Sequence, residues 1–252
     1  MSQKIITLVG LAKSGKSTAL EVIKRLCEAQ EVQLAKHLKD VTSMVLNIHR
    51  PDMDDQRYKE LQFGHLPYDA NLVEFLGRRF YQKTGLTWFY ERGNRTMKPV
   101  VLNLVDLMTV IDLFDIPVTN DNVDKLEKFV GKVIRTPREG AQFLGTDVLR
   151  EFDPDIHVNF AKKKMDPSKV AVVSDSRFHN ELDAFAGPNT LSLFILRNAV
   201  IPPDLSKAHP SERGVLEVGE RCQFKIENNG SLKDFEERIT ALVTQFLNSD
   251  KD

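Results

Sequence analysis

Apolar positions along the chain follow two rhythms that alternate. Ile5–Val9 is an unbroken apolar run rich in β-branched residues and stops at Gly10, the pattern of a short buried strand. From Ser17 the period changes: Leu20, Ile23, Leu26 and Cys27 recur at the spacing of one helix face. Residues 32–35, VQLA, predict a second short strand. Leu38, Val41, Val45 and Ile48 then predict a helix that ends before Pro51.

The middle of the chain is less regular. Residues 51–68 are polar and bounded by prolines and predict an exposed excursion. Helices are predicted over 71–80 and 100–114, with TGLTWFYERGNRTMKP between them as a loop, and a weaker one over 120–130. Pro137 suits the first position of a helix running to about residue 150. Strong strand signals return at 169–173, KVAVV, and at 190–197, TLSLFILR, separated by a predicted helix over 179–186. QFKIEN predicts a last strand, and residues 231–247 an amphipathic closing helix.

Strands alternating with helices imply an α/β fold, a parallel sheet covered by helices. No linker-like shift in composition splits the chain, so a single domain over residues 1–252 is expected. Its insertions fall at about 51–130 and a lid region at about 131–150.

Composition narrows the function. The chain has 252 residues, of which 41% are hydrophobic and 28% charged, and 35 basic residues face 36 acidic ones. A dedicated duplex-DNA binder usually carries a basic excess, so stable nucleic-acid binding is not expected. The only cysteines, Cys27 and Cys222, lack metal-ligand spacing and fit a reducing compartment. No apolar run approaches a membrane span, and the first residues do not read as a signal peptide, so a cytoplasmic location is the expectation.

The break after the first strand carries the chemistry. Residues 10–17, GLAKSGKS, satisfy G-x-x-x-x-G-K-[ST] at every fixed position, between a strand and a helix. Glycines let the backbone curl round a phosphate, and loop amides at the positive end of a helix face the anion. Lys16 is the candidate for the β- and γ-phosphates and Ser17 for Mg²⁺, with Lys13, Ser14, Gly15 and Thr18 completing the cradle. ATP and magnesium are the implied cofactors. The bland alternative is a chance glycine turn, which the correct flanks on both sides disfavour.

Other candidates are weighed the same way. Asp175 ends the strand KVAVVSD as a Walker-B acid would, at the sheet edge where ligands bind in open α/β folds. It suits magnesium-bound water or a substrate hydrogen bond; otherwise it is a loop acid capping a helix. Arg177 and Glu181 follow it. Arg135 and Arg138 sit at a helix start and suit charge stabilisation in phosphoryl transfer, or else form a solvated basic turn. Lys39 suits an acceptor phosphate or an exposed helix face. Arg78, Arg79, Trp88, Phe89, Tyr90 and His209 read better as surface or core residues than as site residues.

With these residues in hand, the chain resembles the bacteriophage deoxynucleoside monophosphate kinases. The likeness runs through GLAKSGKST, LAKHLKD, REGAQFLGTD, VVSDSRFHNELDA, LFILR, HPSERG and IENNGSL, nearly the whole length. It implies a P-loop kinase fold with a lid and an acceptor-binding insertion, and transfer of the ATP γ-phosphoryl group to a deoxynucleoside monophosphate (dNMP). Its residue roles fall on the P-loop, on Lys39 near the acceptor, and on Gln142, Gly145 and Thr146 near the nucleotides. Asp175, Arg177 and Glu181 also match. Of the lid-region basic pair only Arg138 aligns, with Glu139 beside it, and an aromatic placed by the base falls near His157. The resemblance further suggests a homodimer. The competing readings are a P-loop kinase for dephospho-coenzyme A or a nucleoside, and a nucleotide-dependent switch or DNA-associated ATPase.

Overall fold

The computed structural model describes residues 3–48, 50–54, 100–201 and 213–249. The helix predicted over 71–80, the loop aromatics near Trp88 and His209 lie outside the described residues. The chain forms two compact units: Met1–Leu34 with His157–Asp252, and Ala35–Ile156. The stretches read from sequence as insertions and lid both belong to the second.

The first unit is built on a five-stranded sheet of β1 (Ile5–Val9), β2 (Ala29–Val32), β5 (Val170–Ser176), β6 (Thr190–Leu196) and β7 (Phe224–Glu227), in the order β2-β5-β1-β6-β7. Every neighbouring pair is parallel, with Ile5 opposite both Ala171 and Thr190. Parallel strands need covered crossovers, and both faces are covered. On one face Ile6, Leu8, Val172, Leu193 and Ile195 pack with Ile23 of helix α1 (Lys16–Leu26) and with Phe235, Ile239 and Val243 of the C-terminal helix, α10 (Leu232–Asn248). The strand residues between them turn the other way. Ala171 and Val173 meet Val158 of α7 (Ile156–Lys162), while Val9 and Phe194 meet Leu182 of α8 (His179–Ala184) and Val218 of α9 (Val215–Glu220). This period-2 switch within uniformly apolar strands is what makes them read as continuous hydrophobic runs.

The second unit contains α2 (Lys36–Val45), a 3₁₀ turn (Arg50–Met53), the antiparallel pair β3 (Val100–Val101) and β4 (Val133–Ile134), and helices α3 (Leu104–Leu113) and α4 (Asn120–Glu127). It ends in α5 (Pro137–Gln142), a π-helical turn (Phe143–Val148) and α6 (Leu149–Phe152).

Several boundaries differ from the sequence reading for identifiable reasons. The second strand is Ala29–Val32 rather than 32–35, because pairing with β5 runs from Ala29↔Val170 to Val32↔Val173. The helix predicted over 100–114 begins only at Leu104. Asn103 accepts from Asp106 N–H while Asp106 accepts from Asn103 N–H, a reciprocal cap that frees Val100 and Val101 to pair with β4. The helix predicted over 137–150 is present, but its centre is π-helical, a rare turn often found at functional sites.

Candidate functional site

The P-loop leaves the carboxyl edge of the first unit's sheet. Val9 is opposite Ser176, so residues 10–17 and the end of β5 emerge on the same edge. Gly15 caps α1 with φ +114°, a left-handed conformation that side chains rarely adopt, and a Cβ there would run into Asn228 Nδ2 and lie 3.3 Å from Phe235. Lys16 Nζ donates to the carbonyls of Gly10 (2.6 Å) and Leu11 (2.8 Å), so the ammonium is folded across its own loop.

A cavity of about 550 Å³ opens beside the loop, lined by Lys13, Gly15, Lys16, Ser17 and Thr18 on one side and by Arg197, Asn228, Asn229 and Gly230 on the other. Three basic side chains and a helix start facing one cavity suit a polyanion. Ser14 is not part of that lining. The residue is buried at 1% exposure, its N–H donates to Leu11 O (3.2 Å), and its carbonyl accepts from Asn228 Nδ2 at 2.7 Å.

Asn228 is the residue that motif reading passed over. The run NNGSL, read as a family mark, has a mechanical explanation. Asn228 holds the P-loop, Asn229 Oδ1 accepts from Asn198 N–H (2.9 Å), and Ser231 caps α10 by accepting from Asp234 N–H (3.1 Å). The signal was present in the sequence, but its partner lies at the far end of the chain.

Asp175 lies on the same sheet edge, and its Oδ1 accepts from Leu34 N–H at 2.8 Å, anchoring the exit from β2. Glu181 is 4% exposed, and its Oε2 accepts from the N–H groups of Arg177 (2.7 Å) and Phe178 (3.2 Å). This satisfies amides at the start of α8, so Glu181 acts there as a helix cap. His157 is buried in α7, at 6% exposure.

In the second unit, Thr136 Oγ1 accepts from Glu139 N–H (3.0 Å) and Glu139 Oε2 from Arg135 N–H (2.8 Å), a cap at the start of α5. Glu139 Oε1 also lies 3.5 Å from Lys132 Nζ and 3.9 Å from Arg135. The acid that interrupts the family's basic pair is thus a helix cap and counter-ion, and Arg135 stays well exposed. Arg138 is half-buried in the first turn of α5, and Gln142 ends that helix. Gly145 and Thr146 occupy the π-helical turn, where a Cβ on Gly145 would strike Leu38 Cδ2. Lys39, on α2, is ion-paired with Asp54 at 2.7 Å. The phosphate-loop residues and Asp175, Arg177, Glu181 and His157 belong to the first unit, and Lys39, Arg135, Arg138, Gln142, Gly145 and Thr146 to the second.

The family profile described as deoxynucleotide monophosphate kinase matches residues 4–239. The chain belongs to that family. It is accordingly a nucleotide kinase, a phosphotransferase that acts on small molecules. Among solved structures, the dephospho-CoA kinase from Campylobacter jejuni is similar at 13% identity over 98% of both chains, with a TM-score of 0.37. No curated protein matches by sequence. Among the described residues of this family member no helix is long and apolar enough to cross a membrane.

Proposed function

We propose that the protein transfers the γ-phosphoryl group of ATP to deoxynucleoside 5′-monophosphates, giving the diphosphates and ADP. The observation that carries this is the cavity beside Lys13, Lys16 and the start of α1 in a member of the deoxynucleotide monophosphate kinase family. The loop amides and Lys16 hold the β- and γ-phosphates once the ammonium leaves the Gly10 and Leu11 carbonyls. Arg135 and Arg138 neutralise charge on the transferring group, Gly145 and Thr146 lie against nucleotide, and Lys39, Gln142, Asp175 and Arg177 place the acceptor.

Magnesium suits the donor set. Mg²⁺ is usually held by one or two protein ligands, phosphates and water. Ser17 offers an exposed hydroxyl and Asp175 a carboxylate, and among the described residues no group of three His, Cys, Asp or Glu could hold an ion unaided. When bound, the ion neutralises phosphate charge. The acceptor's phosphate oxygen is already a nucleophile, so positioning and charge neutralisation supply most of the rate. The resemblance to the phage enzymes supports a role in making deoxynucleoside diphosphates for DNA synthesis.

The test is ADP release with each of the four dNMPs, with dephospho-coenzyme A and deoxynucleosides as alternative acceptors. Acceptor-dependent ADP from at least one dNMP is expected. Turnover with only dephospho-coenzyme A or a nucleoside would replace the acceptor assignment, and turnover stimulated by DNA alone would replace the kinase.

A further inference from the structure

The second unit carries an ion cluster of which the sequence motifs singled out only Lys39. Asp54 presents its two carboxylate oxygens to two different cations: Oδ1 to Lys39 Nζ at 2.7 Å and Oδ2 to an Arg50 terminal nitrogen at 2.6 Å. The remaining edge of Arg50 donates through Nε to Asp40 Oδ1 at 2.5 Å. Two cations converging on one small oxyanion is how a phosphate monoester is gripped.

We propose that Lys39 and Arg50 form a clamp for the 5′-phosphate of the acceptor, and that Asp54 occupies this clamp until the acceptor displaces it. This rests on the dNMP kinase reading for the identity of the anion, while the clamp itself rests on the geometry. With Asp54 in place, two positive and two negative side chains cancel, and a dianion gains little by approaching. With Asp54 withdrawn, the cluster keeps one net positive charge and frees donors on both Lys39 and Arg50. Asp40 stays on Nε and holds the guanidinium with its terminal nitrogens facing forward, which makes it a positioning residue.

Displacement is feasible because little else ties Asp54 down. Its side chain is 52% exposed, and exposed ion pairs are weak. The turn that carries it is fastened by the neighbouring Met53, buried at 4% exposure, so the turn does not need the ion pair to stay docked. Partial burial pulls the Asp54 carboxyl upward, but hydrogen bonds from Lys39 and Arg50 overcome that and hold it below its ordinary range. It is therefore ionised, and competes as an anion, throughout the neutral range.

The decisive variants are Asp54→Asn and Arg50→Met. In steady-state assays Asp54→Asn should lower KM for the best dNMP about three- to tenfold with kcat within twofold, because the internal competitor is gone. Arg50→Met should raise that KM at least tenfold, leave KM for MgATP unchanged, and be partly rescued by Arg50→Lys. An unchanged dNMP KM in both variants, with only thermal stability altered, would overturn the clamp and leave a structural ion pair. A second reading needs no turnover. With MgADP saturating the P-loop, calorimetric titration of inorganic phosphate should show tighter binding to Asp54→Asn than to wild type and weaker binding to Arg50→Met. Equal affinities would overturn the clamp. If the wild type phosphorylates none of the four dNMPs, the acceptor assignment fails while this titration still decides the clamp.

Discussion

Asn228 Nδ2 donates to the carbonyl of Ser14 at 2.7 Å, across 214 residues of sequence, so the strand-to-helix turn after β7 props the phosphate loop from behind. The support is rigid at its base, because Asn228 N–H itself donates to Leu196 O at 2.7 Å. Asn228→Ala removes the brace, together with one polar side chain of the cavity wall, and leaves the loop's own residues unchanged. A part-buried hydrogen bond of this kind is worth about 1 kcal/mol, so MgATP affinity should fall roughly fivefold. Calorimetric titration of MgATP would measure it, and an unchanged affinity would show that the loop holds its shape unaided.

Lys16 separates shape from charge. Its ammonium bonds to the Gly10 and Leu11 carbonyls, contacts that lie at a loop edge rather than in the core. Lys16→Met should cut kcat by roughly 10²–10³-fold, the usual cost of losing one charge-stabilising donor. The melting curve should stay within about 1 kcal/mol of wild type. Rate and melting measured on one preparation check both halves.

Gly145 tests the packing of the π-helical turn against α2. Gly145→Ala sets a methyl against Leu38 and should cost about 1–3 kcal/mol, as overpacking does. In a chain of this size that lowers Tm by roughly 2–4 °C per kcal/mol. Gly187→Ala is the control, because a Cβ there would meet only Thr190 Oγ1, at 4.0 Å. Equal melting temperatures for the two variants would contradict the close approach.

The cysteines should be unreactive at neutral pH. Burial pushes the Cys222 thiol up to about 11, and burial also raises Cys27. A raised thiol pKa removes the reactive thiolate at any pH below it, so at pH 8 Cys222 is about one-thousandth thiolate. Iodoacetamide should label the native protein far more slowly than the unfolded chain, with the rate climbing as pH rises towards 11. Native labelling as fast as in denaturant would refute this.

The phosphate loop was legible because it is a local signal. Its fixed positions, the apolar strand before it and the amphipathic helix after it are contiguous, and Gly15 is found in the conformation that only glycine takes easily. The strands β1, β5 and β6 were legible for a related reason, since burial on both faces demands continuous apolar residues. Glu181 and Glu139 were harder. A carboxylate near arginines reads equally as ligand or cap, and only hydrogen-bond partners three or four residues back separate the two. Arg50 had no flanking pattern, and its importance lies in reaching Asp40 and Asp54 together.

Chemistry held within a dozen consecutive residues is encoded where it acts, because backbone torsion, helix start and side-chain type are all local properties. That accounts for the α/β class, the nucleotide loop and the amphipathic helices. The strand order, the start of β2 at Ala29, the brace from Asn228 and the pairing of Lys39 with Asp54 arise differently. Each depends on which distant backbone or charge comes within about 3 Å, and a hydrogen bond or ion pair exists only at such range. Linear spacing carries no record of that distance until the chain has packed.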